Sequence, residues 1–599
     1  MATRESMQTH GYDVVVIGAG GAGLRAAIEA ANEGARTALI CKSLLGKAHT
    51  VMAEGGAAAA LGNVWPEDNW EVHFRDTMRG GKLINNWKMA EIFAKEAPDR
   101  ILELEEWGAV FDRTKDGLIS QRDFGGHRYA RLAHVGDRTG LEIIRTLQYK
   151  LISMKVDVFM ECTVTRLLTE AGRIAGAFAY RRDSGQFLVF RTKAAVLATG
   201  GFGKVWKYTS MSWESTGDGI ALALDAGADL LDMEMVQFHP TGMVWPPGAR
   251  GILVTEGVRG DGGVLRNADG TRFMFNYIPE FFNAETADTE AEADGWYTDK
   301  HNRRPPELLP RDEVTRAIYA EVKAGRGSPH GGVLLDIATR RSAEYIRKRL
   351  PSMYHQFMEL AGVDITREPM EVYPTCHYSM GGIRVDPETQ AATVPGLFAA
   401  GEIAAGLHGA NRLGGNSLTD ILVFGRRAGL YAAKYAADGQ AASAPGAEQV
   451  DDAGAELLAP FAAAGGESPY AIQSELQDTM QDYVGIYRDE AGMQEGLRRI
   501  EALKPRAGRV KVDGPREYNP GWHATRDLYS MLTVAEVVTR SALARTETRG
   551  GHSRTDHARA DAVWGTRNLI THRQDGQIVL DQAPITPLPG ELSRLLEVK

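Results

Sequence analysis

A glycine-rich turn between a short apolar run and a longer helical pattern is the feature that most constrains the fold. Residues 12–17, Tyr-Asp-Val-Val-Val-Ile, have the length and the β-branched content of a buried parallel strand. The sequence GAGGAG follows, residues 24–33 predict a helix that ends at Gly34, and residues 37–40 predict a second strand. Backbone N–H groups and the helix dipole at such a turn bind pyrophosphate, which favours a dinucleotide site over a turn that only packs a helix on a sheet. The predicted contacts are Gly18, Gly20, Gly21 and Gly23.

The end of the second strand departs from the pattern of a nicotinamide dinucleotide site. That pattern has an Asp or Glu for the ribose about 20 residues after the glycines, whereas this strand ends in Ile-Cys-Lys-Ser. Further glycine junctions follow at 199–201 and 216–219. Because a nicotinamide half-site does not need so many junctions, they favour a larger flavin dinucleotide. The predicted contacts in these segments are Lys42, Ser43, Thr199, Gly200 and Asp218.

The composition changes along the 599 residues, which are too many for one core. Residues 240–371 are richer in proline, aromatic and charged residues, and a strand at 396–400 then resumes the earlier pattern. We therefore expect a domain inserted into a doubly wound α/β sheet. The alanine- and glycine-rich segment 436–468 predicts a linker, and the helical spacing of 475–503 predicts a helical domain after it.

Charge, hydropathy and cysteine usage exclude several classes of protein. A net charge of −10 argues against nucleic acid as the main partner. The sequence contains no run of 18 apolar residues, so no membrane span is predicted. The first dozen residues lack the apolar run of a signal peptide. Three cysteines without a C-x-x-C pair exclude a disulfide framework and a four-cysteine zinc or iron–sulfur site. We expect an enzyme of the reducing cytosol, without a metal site.

Motifs along nearly the whole chain resemble those of one enzyme family. Residues 47–56, Lys-Ala-His-Thr-Val-Met-Ala-Glu-Gly-Gly, resemble the segment that carries the covalent flavin in the flavoprotein subunits of succinate dehydrogenase and fumarate reductase, the complex II family. Other motifs of that family follow in the family's order. They lie at 121–127, 137–140, 237–242, 255–260, 310–312, 374–382, 401–402, 408–417 and 549–554.

The resemblance implies an α/β fold with a Rossmann-type FAD-binding domain, an inserted α+β capping domain, a helical domain and a small C-terminal domain. The boundaries that we predict are 1–239 with 372–436 for the FAD-binding domain, 240–371 for the capping domain, 437–550 for the helical domain and 551–599 for the last domain.

The resemblance also implies FAD joined covalently through His49. An electron-withdrawing imidazolyl link makes the flavin easier to reduce, and for a two-electron couple roughly 30 mV shifts the equilibrium tenfold. An isolated histidine would more simply be a hydrogen-bonding loop residue, so the surrounding motif carries this prediction. Further implied FAD contacts are Thr50, Gly55, Gly56, Glu402, Asn416, Ser417 and Leu418.

Succinate and fumarate are four-carbon dicarboxylates, so their site needs donors at two ends. The resemblance implies that Arg412 clamps one carboxylate in a bidentate manner, with His377 beside it, and that His239 and Thr255 bind the other. It also implies that Phe124 lies against the substrate and twists it towards the transition state. Taken singly, each histidine has the alternative role of a satisfied interior residue.

The resemblance assigns proton transfer to Arg311, with Glu256 and Arg259 as a relay to solvent. Because the reference pKa of arginine lies above about 12, such a transfer requires neighbours that pass the proton on at once. The alternative role for Arg311 is that of a carboxylate anchor.

Two residues differ from the common family pattern. Glu54 stands where the family varies between Gln and Glu, and Glu is closer to the fumarate-reducing branch. A carboxylate there disfavours an anionic reduced flavin, to a degree that depends on its protonation. Asp123 stands where many relatives have proline, which changes the expected shape of the loop before Phe124.

Electrons that reach the flavin need an exit, and this chain has neither iron–sulfur cysteine sets nor a haem-attachment C-x-x-C-H motif. The resemblance implies a separate iron–sulfur subunit, through which membrane anchor subunits exchange electrons with quinone. We therefore expect a peripheral protein at the cytoplasmic face of the cell membrane, with residues 552–554 near the subunit interface.

Other functions remain open at this point. The chain works either as a succinate dehydrogenase or mainly as a fumarate reductase. L-aspartate oxidase shares the architecture but holds its flavin without a covalent histidine, so His49 argues against it. A non-catalytic flavin-binding scaffold predicts loss of the charged pocket, whereas Arg311, His377 and Arg412 are present.

Overall fold

The computed structural model describes residues 7–439 and 445–597. Strands and short bridging pairs alternate with helices in the first half, and helices dominate after residue 416. The strands are β1 Gln8–Ile17, β2 Thr37–Ile40, β3 Ala57–Ala58, β4 Gln121–Arg122, β5 Leu132–Ala133, β6 Asp157–Phe159, β7 Cys162–Glu170, β8 Arg173–Arg181, β9 Phe187–Leu197, β10 Leu230–Leu231, β11 Val236–Met243, β12 Val264–Arg266, β13 Val333–Asp336, β14 Met370–Ser379, β15 Gly382–Ile383, β16 Leu397–Ala399, β17 Tyr487–Arg488, β18 Ser553–Arg554, β19 Arg567–Gln574 and β20 Gln577–Pro584. The helices are α1 Gly21–Asn32, α2 Trp70–Gly80, α3 Trp87–Glu106, α4 Thr139–Ser153, α5 Asp218–Asp225, α6 Gly257–Gly260, α7 Glu290–Gly295, α8 Arg311–Lys323, α9 Ala343–Arg349, α10 Pro351–Ala361, α11 Asn416–Ala437, α12 Ala447–Ala462, α13 Pro469–Tyr483, α14 Glu490–Ala507, α15 Pro520–Ala544 and α16 Gly590–Glu597.

The central sheet has the order β6-β2-β1-β9-β8-β7, and β16 pairs with β9. Strands β1, β2, β6, β9 and β16 run parallel, whereas β8 and β7 continue the sheet in antiparallel fashion. Val14, Val15 and Val16 of β1 are fully buried, as an all-apolar run in a sheet covered on both faces requires. This arrangement confirms the predicted α/β fold.

Helices α1 and α11 pack so closely that their backbones are in contact. A Cβ on Gly425 or Gly429 of α11 would lie 2.8 Å from the carbonyl oxygen of Ala22 and 2.2 Å from that of Ala26, respectively. These two glycines therefore allow the close approach that brings the amino ends of both helices to one edge of the sheet.

A second sheet, β11-β14-β13-β12, belongs mainly to the region that we predicted as an insertion. It has its own hydrophobic cluster, drawn from residues between Met243 and Val372 and including Val254, Phe273 and Ile318. Because β11 enters this region and β14 leaves it as antiparallel neighbours, the two ends of the inserted region meet beside the central sheet.

The predicted linker at 436–468 is wrong for most of its length. Helix α11 continues to Ala437 and α12 occupies Ala447–Ala462, where Ala453 and Leu457 are buried; residues 440–444 of the prediction lie outside the described part. Alanine is the strongest helix former, so an alanine-rich acidic segment that finds an apolar surface folds as a helix. The predicted first helix also begins three residues earlier than expected, at Gly21.

Candidate active site

One large cavity runs along the carboxyl ends of the central strands. It encloses about 1690 Å³, including space open to solvent. Residues at the ends of β1, β2, β9 and β16 line one part of it, and residues of the inserted region line the other. A cavity in this position is typical of ligand sites in doubly wound sheets.

The glycine-rich turn forms one wall of the cavity. Gly18 has φ +111°, and a Cβ on it would lie 2.3 Å from the carbonyl oxygen of Ala198. Gly20 and Gly21 also line the cavity, whereas Gly23 does not. A Cβ on Gly23 would lie 1.8 Å from the carbonyl oxygen of Gly18, so Gly23 serves the packing of α1 on the turn.

The cavity has room and backbone donors for an extended anionic dinucleotide. The amino end of α1 opens onto it at Gly21, and that of α11 at Ser417 and Leu418. Gly200 has φ +75° and lines the cavity, and no atom lies within 4 Å of a Cβ placed on it. A side chain at Gly200 would therefore occupy ligand space, and two helix amino ends favour phosphate binding.

Lys42 lines the cavity, but its charge is already compensated within the protein. Its Nζ lies 2.8 Å from Asp218 Oδ2, 2.6 Å from Asp527 Oδ1 and 3.1 Å from Thr216 Oγ1. Burial disfavours the ammonium, yet the two carboxylates raise the pKa of Lys42 above its ordinary value. Asp527 belongs to α15, so no local pattern in the sequence indicated this contact.

His49 begins a short 3-10 turn beside the cavity. Its Nδ1 accepts a hydrogen bond from the Ser212 N–H at 3.2 Å, and Nε2 has no hydrogen bond with a described residue. Burial, with the charges of Arg412 and Lys204, lowers the pKa of His49 to about 4. At neutral pH the ring is therefore neutral, with one nitrogen engaged and the other left for chemistry at the cavity.

Two arginines meet at one oxygen at the other end of the cavity. Gln237 Oε1 accepts hydrogen bonds from Arg311 Nη1 and from Arg412 Nη2, each at 3.1 Å. Arg412 also donates to Ser417 Oγ at 2.7 Å, and its guanidinium stacks on Tyr378 at 4.2 Å from the ring centroid. Burial and the charge of Arg311 lower the pKa of Arg412 to about 9, so it is a cation at neutral pH. Sequence reasoning missed Gln237 as a bridge, although it begins one of the family motifs.

Glu256 is the carboxylate nearest to this arginine pair. Its Oε2 accepts from Arg311 Nε at 2.8 Å, and its Oε1 accepts from the Gly125 N–H at 2.7 Å. Arg259 Nη2 lies 3.6 Å from Oε2, and Arg259 is fully buried. Burial opposes the charge, but Arg311 and Arg259 hold the pKa of Glu256 below its ordinary value. The three predicted relay residues, Arg311, Glu256 and Arg259, thus lie together, and Glu256 is ionised.

The two predicted substrate histidines are neighbours because they lie on the paired strands β11 and β14. The ring centroids of His239 and His377 are 4.9 Å apart. His377 Nδ1 lies 2.8 Å from Ser210 Oγ, and His239 Nδ1 lies 3.0 Å from the carbonyl oxygen of Thr241. Burial and neighbouring positive groups lower the pKa of both rings well below the ordinary value, so both are neutral.

Two further carboxyl groups line the cavity without adding full negative charge. Burial and the nearby Asp137 raise the pKa of Glu54 well above its ordinary value. Burial raises the pKa of Glu402 to about 7, and its Oε1 accepts the Ser379 N–H at 2.9 Å. The raised pKa favours the neutral form of Glu54, which weakens its role as an anion near the flavin.

Most of the predicted site residues line this one cavity. Those that do are Gly18, Gly20, Gly21, Lys42, Ser43, His49, Thr50, Gly55, Gly56, Phe124, Thr199, Gly200, Asp218, His239, Thr255, Glu256, Arg311, His377, Glu402, Arg412, Ser417 and Leu418. Gly23, Arg259 and Asn416 do not. The Asn416 side chain instead contacts His73 and Thr77, each at 3.1 Å.

Residues 552–554 lie inside this chain and offer no exposed contact, so their proximity to a subunit interface stays a prediction. His552, Ser553 and Arg554 are almost fully buried inside this chain. His552 Nδ1 lies 2.9 Å from Arg488 Nη1, and the neighbouring Gly551 N–H donates to the carbonyl oxygen of Ala410 at 2.8 Å. The segment therefore supports the loop that leads to Arg412.

Membrane spans and metal clusters are absent from residues 7–439 and 445–597. Within these ranges, no helix combines the length and apolarity needed to cross a membrane, and no group of three or more His, Cys, Asp or Glu side chains is arranged to hold a metal ion.

Comparison with known proteins agrees with this geometry. The family model described as FAD binding domain matches residues 13–418, and the model described as fumarate reductase flavoprotein C-term matches residues 473–590. The solved Sdh1 of Mycobacterium smegmatis in complex with UQ1 has a chain that is 58% identical, with a TM-score of 0.84, and the match covers 97% of this chain and 95% of that one.

Curated relatives match over a similar length. A fumarate reductase (CoM/CoB) chain of Methanothermobacter marburgensis is 42% identical over 95% of this chain and 98% of its own. The succinate dehydrogenase flavoprotein subunit of Rickettsia bellii is 37% identical over 96% of each chain. The cavity has a dinucleotide turn at one end and paired arginines at the other, as these relatives lead one to expect. This chain belongs to the family of FAD-dependent succinate dehydrogenase and fumarate reductase flavoprotein subunits of complex II.

Proposed function

We propose that this chain is the catalytic flavoprotein subunit of a succinate dehydrogenase, a succinate:quinone oxidoreductase. The observation that carries the proposal is the charge at the substrate end of the cavity. Arg311, Arg412 and Arg259 carry three positive charges, and Glu256 is the ionised carboxylate among them. Positive charge therefore exceeds negative charge in this group, which suits the binding of a dicarboxylate.

FAD is the redox group of the family, and we propose His49 as its covalent attachment point. When bound, FAD supplies the two-electron acceptor for the hydride that leaves succinate. Nε2 of His49 suits the attachment because Nδ1 is occupied by the Ser212 N–H and the ring is neutral at physiological pH. In this neutral ring the Nδ1 lone pair accepts the Ser212 N–H, so Nε2 carries the ring proton and would release it when the bond to the flavin forms.

The substrate carboxylates are placed by the two predicted sets of donors. Arg412 with His377 binds one carboxylate, and His239 with Thr255 binds the other. Support comes from the cavity, which these four side chains line together, and from the orientation of Arg412 by Gln237 and Ser417. Phe124 lines the same cavity and is almost fully buried, so it excludes water from the reacting carbons.

Glu256 first takes the Nε proton of Arg311, and the neutral guanidine then takes the proton from the carbon next to the hydride-donating one, so Arg311 regains its charge and the proton is left on Glu256. The 2.8 Å contact between Arg311 Nε and Glu256 Oε2 supplies the immediate acceptor that an arginine base requires. Glu256 is ionised before the step and therefore able to accept the proton. Arg259, next along the relay, stabilises the carboxylate between turnovers.

The direction of the reaction rests on a comparison of relatives. The 58% identity with the Sdh1 chain supports succinate oxidation, whereas the curated fumarate reductase (CoM/CoB) chain, at 42%, is more similar than the Rickettsia bellii succinate dehydrogenase subunit, at 37%. Fumarate reduction is the second candidate because Glu54, which is closer to the fumarate-reducing branch than a glutamine would be, lines the cavity.

The redox partners follow from the same proposal. The electrons pass to a separate iron–sulfur subunit, while membrane anchor subunits hold the assembly at the cytoplasmic face of the membrane and exchange electrons with quinone. The predicted domain boundaries at residues 239, 371, 436 and 550 remain part of this proposal.

The test is purification of the native assembly, with quinone-linked succinate oxidation and fumarate reduction measured side by side. We expect faster succinate oxidation, inhibition by malonate, and a mass spectrum in which the peptide containing His49 carries FAD. Faster fumarate reduction would reverse the direction. Peroxide formation from aspartate and oxygen, with no succinate turnover, would replace the proposal by an L-aspartate oxidase.

A further inference from the structure

One arginine of the inserted region holds the loop that carries Phe124. Arg304 donates from Nη2 to the carbonyl oxygen of Phe124 at 3.2 Å and from Nη1 to the carbonyl oxygen of His127. Between these two carbonyls lies Gly125, whose N–H binds Glu256. The forked guanidinium therefore bridges both ends of a four-residue segment whose amide orients the relay carboxylate.

The segment has little freedom in other directions. A Cβ on Gly55 would lie 2.6 Å from the Phe124 ring, and one on Gly414 would lie 2.5 Å from it, so the ring fits between two backbone segments. A Cβ on Gly125 would meet the carbonyl oxygen of Leu308 at 3.0 Å. In so close a fit, the position of the loop backbone decides where the Phe124 ring and the Gly125 amide lie.

Asp123 supports Arg304 from the loop side. Its carboxylate lies 3.1 Å from Lys300 Nζ and 4.0 Å from Arg304 Nη2. Both cations approach the ring of buried Trp296, Lys300 Nζ at 3.1 Å and the Arg304 guanidinium at 5.3 Å from its centroid. Two cations at one ring repel each other, and Asp123 supplies the compensating charge.

We propose that Arg304 is a positioning residue for succinate oxidation, which sets the Phe124–His127 segment and through Gly125 the Glu256–Arg311 pair, and that Asp123 keeps Arg304 in place. The inference rests on the proposed function. The carboxylate donor Arg412 is held instead by Gln237 and Ser417, which lie outside this segment. Turnover and dicarboxylate binding should therefore respond differently to changes at Arg304.

The experiment compares Arg304→Gln, Arg304→Lys, Asp123→Asn and Arg303→Gln in the purified holo-complex. Arg303 is the matched control, because its ion pairs are with Glu292 and Asp288, outside the loop. We expect kcat for succinate to fall about tenfold in Arg304→Gln and in Arg304→Lys, whose ammonium lacks the fork, and about threefold in Asp123→Asn. The dissociation constant for malonate should stay within threefold of wild type, and Arg303→Gln should match wild type in both measurements.

Covalent FAD content and melting temperature report whether each variant folds. Full activity in Arg304→Lys would overturn the role of the fork, and a kcat within twofold of wild type in Arg304→Gln would overturn the proposal. A loss of malonate affinity as large as the loss of kcat would show a merely structural role. If the wild-type complex itself fails to oxidise succinate, the proposed function fails instead, so the two failures are distinguishable.

Discussion

The two ends of the cavity bind charge by opposite means. At the nucleotide end, bare glycine backbone and the amino ends of α1 and α11 face the ligand, and Lys42 there is paired with Asp218 and Asp527. At the substrate end, arginine side chains face the ligand, and positive charge exceeds negative charge. The nucleotide end is therefore a rigid dipolar cradle, and the substrate end is a set of charges that remains incomplete without a dianion.

The difference also separates stability from activity. A backbone cradle is part of the packing between sheet and helices, so damage to it should reduce folding and cofactor retention together. The arginine pair is oriented by side-chain hydrogen bonds and not by backbone packing. A change at these side chains should therefore reduce turnover while the fold and the flavin remain. Substitutions at each end test whether stability and activity respond separately.

The largest effect is expected for Arg311→Lys. The lysine keeps a positive charge, but its single ammonium cannot bind Glu256 and Gln237 as the guanidinium does. We expect kcat for succinate to fall by roughly 10²–10⁴, the usual contribution of acid–base catalysis, while malonate binding and FAD content change little. Steady-state kinetics with malonate titration measures both. Equal losses of kcat and malonate affinity would instead identify Arg311 as a carboxylate anchor.

At the nucleotide end, Gly23→Ala should damage folding. Its Cβ would lie 1.8 Å from the carbonyl oxygen of Gly18, and backbone cannot move aside cheaply. We expect the free energy of unfolding to fall by about 3 kcal/mol, the upper range for overpacking, with loss of bound FAD. Thermal melting and flavin absorbance per chain measure the two effects.

Gly11→Ala is the matched control for Gly23→Ala. Gly11 belongs to β1, which leads into the turn, and no atom lies within 4 Å of a Cβ placed on it. It should change stability by less than about 0.5 kcal/mol. Normal FAD content in Gly23→Ala would contradict the view that the cradle and the fold are one structure.

The charge at the substrate end predicts a limit at high pH. Arg412 is cationic below its pKa of about 9 and neutral above it, so its attraction for a dicarboxylate weakens as the pH rises through that value. We expect kcat/KM for succinate to fall, approaching tenfold per pH unit above about 9. The corresponding fall in kcat should begin at a higher pH, because the bound dianion stabilises the charged form of Arg412. A kcat/KM that stays flat to about pH 10 would contradict this assignment.

The smallest effect is expected for Glu54→Gln. Because burial raises the pKa of Glu54 well above its ordinary value, the neutral form of the carboxyl group is favoured and the amide resembles it. We expect the ratio of succinate oxidation to fumarate reduction to change by less than about threefold at pH 7. A tenfold change would show that Glu54 is ionised in the working enzyme.

Sequence patterns located the nucleotide end well because its information is local. The strand, the glycine turn and the helix are contiguous, and each glycine has a steric reason that can be stated before the fold is known. The linker prediction at 436–468 failed for the opposite reason, since an alanine-rich segment becomes a helix or a linker according to the surface it meets. Gly23 and Asn416 show a further limit, because a motif names residues without saying which side chains face the ligand.

The substrate end shows what family motifs add and what they omit. They named Arg311, Arg412 and Glu256, which the structure brings together. They did not indicate Gln237 as the shared acceptor of both arginines, or Arg304 as the clamp of the Phe124 loop. These contacts join residues 74 to 180 positions apart, and such separations leave no periodic signal in the sequence.

The sequence predicted the α/β class and the dinucleotide turn from local sterics, and its resemblance to one family named the charged residues for a dicarboxylate. Tertiary structure alone decided which of those charges are compensated. Lys42 meets Asp218 and Asp527, and Arg311 meets Glu256, whereas Arg412 has the neutral acceptors Gln237 and Ser417 and remains available to a ligand. The physical reason is that burial and pairing, which set the protonation and the net charge of a site, arise only when distant segments come into contact.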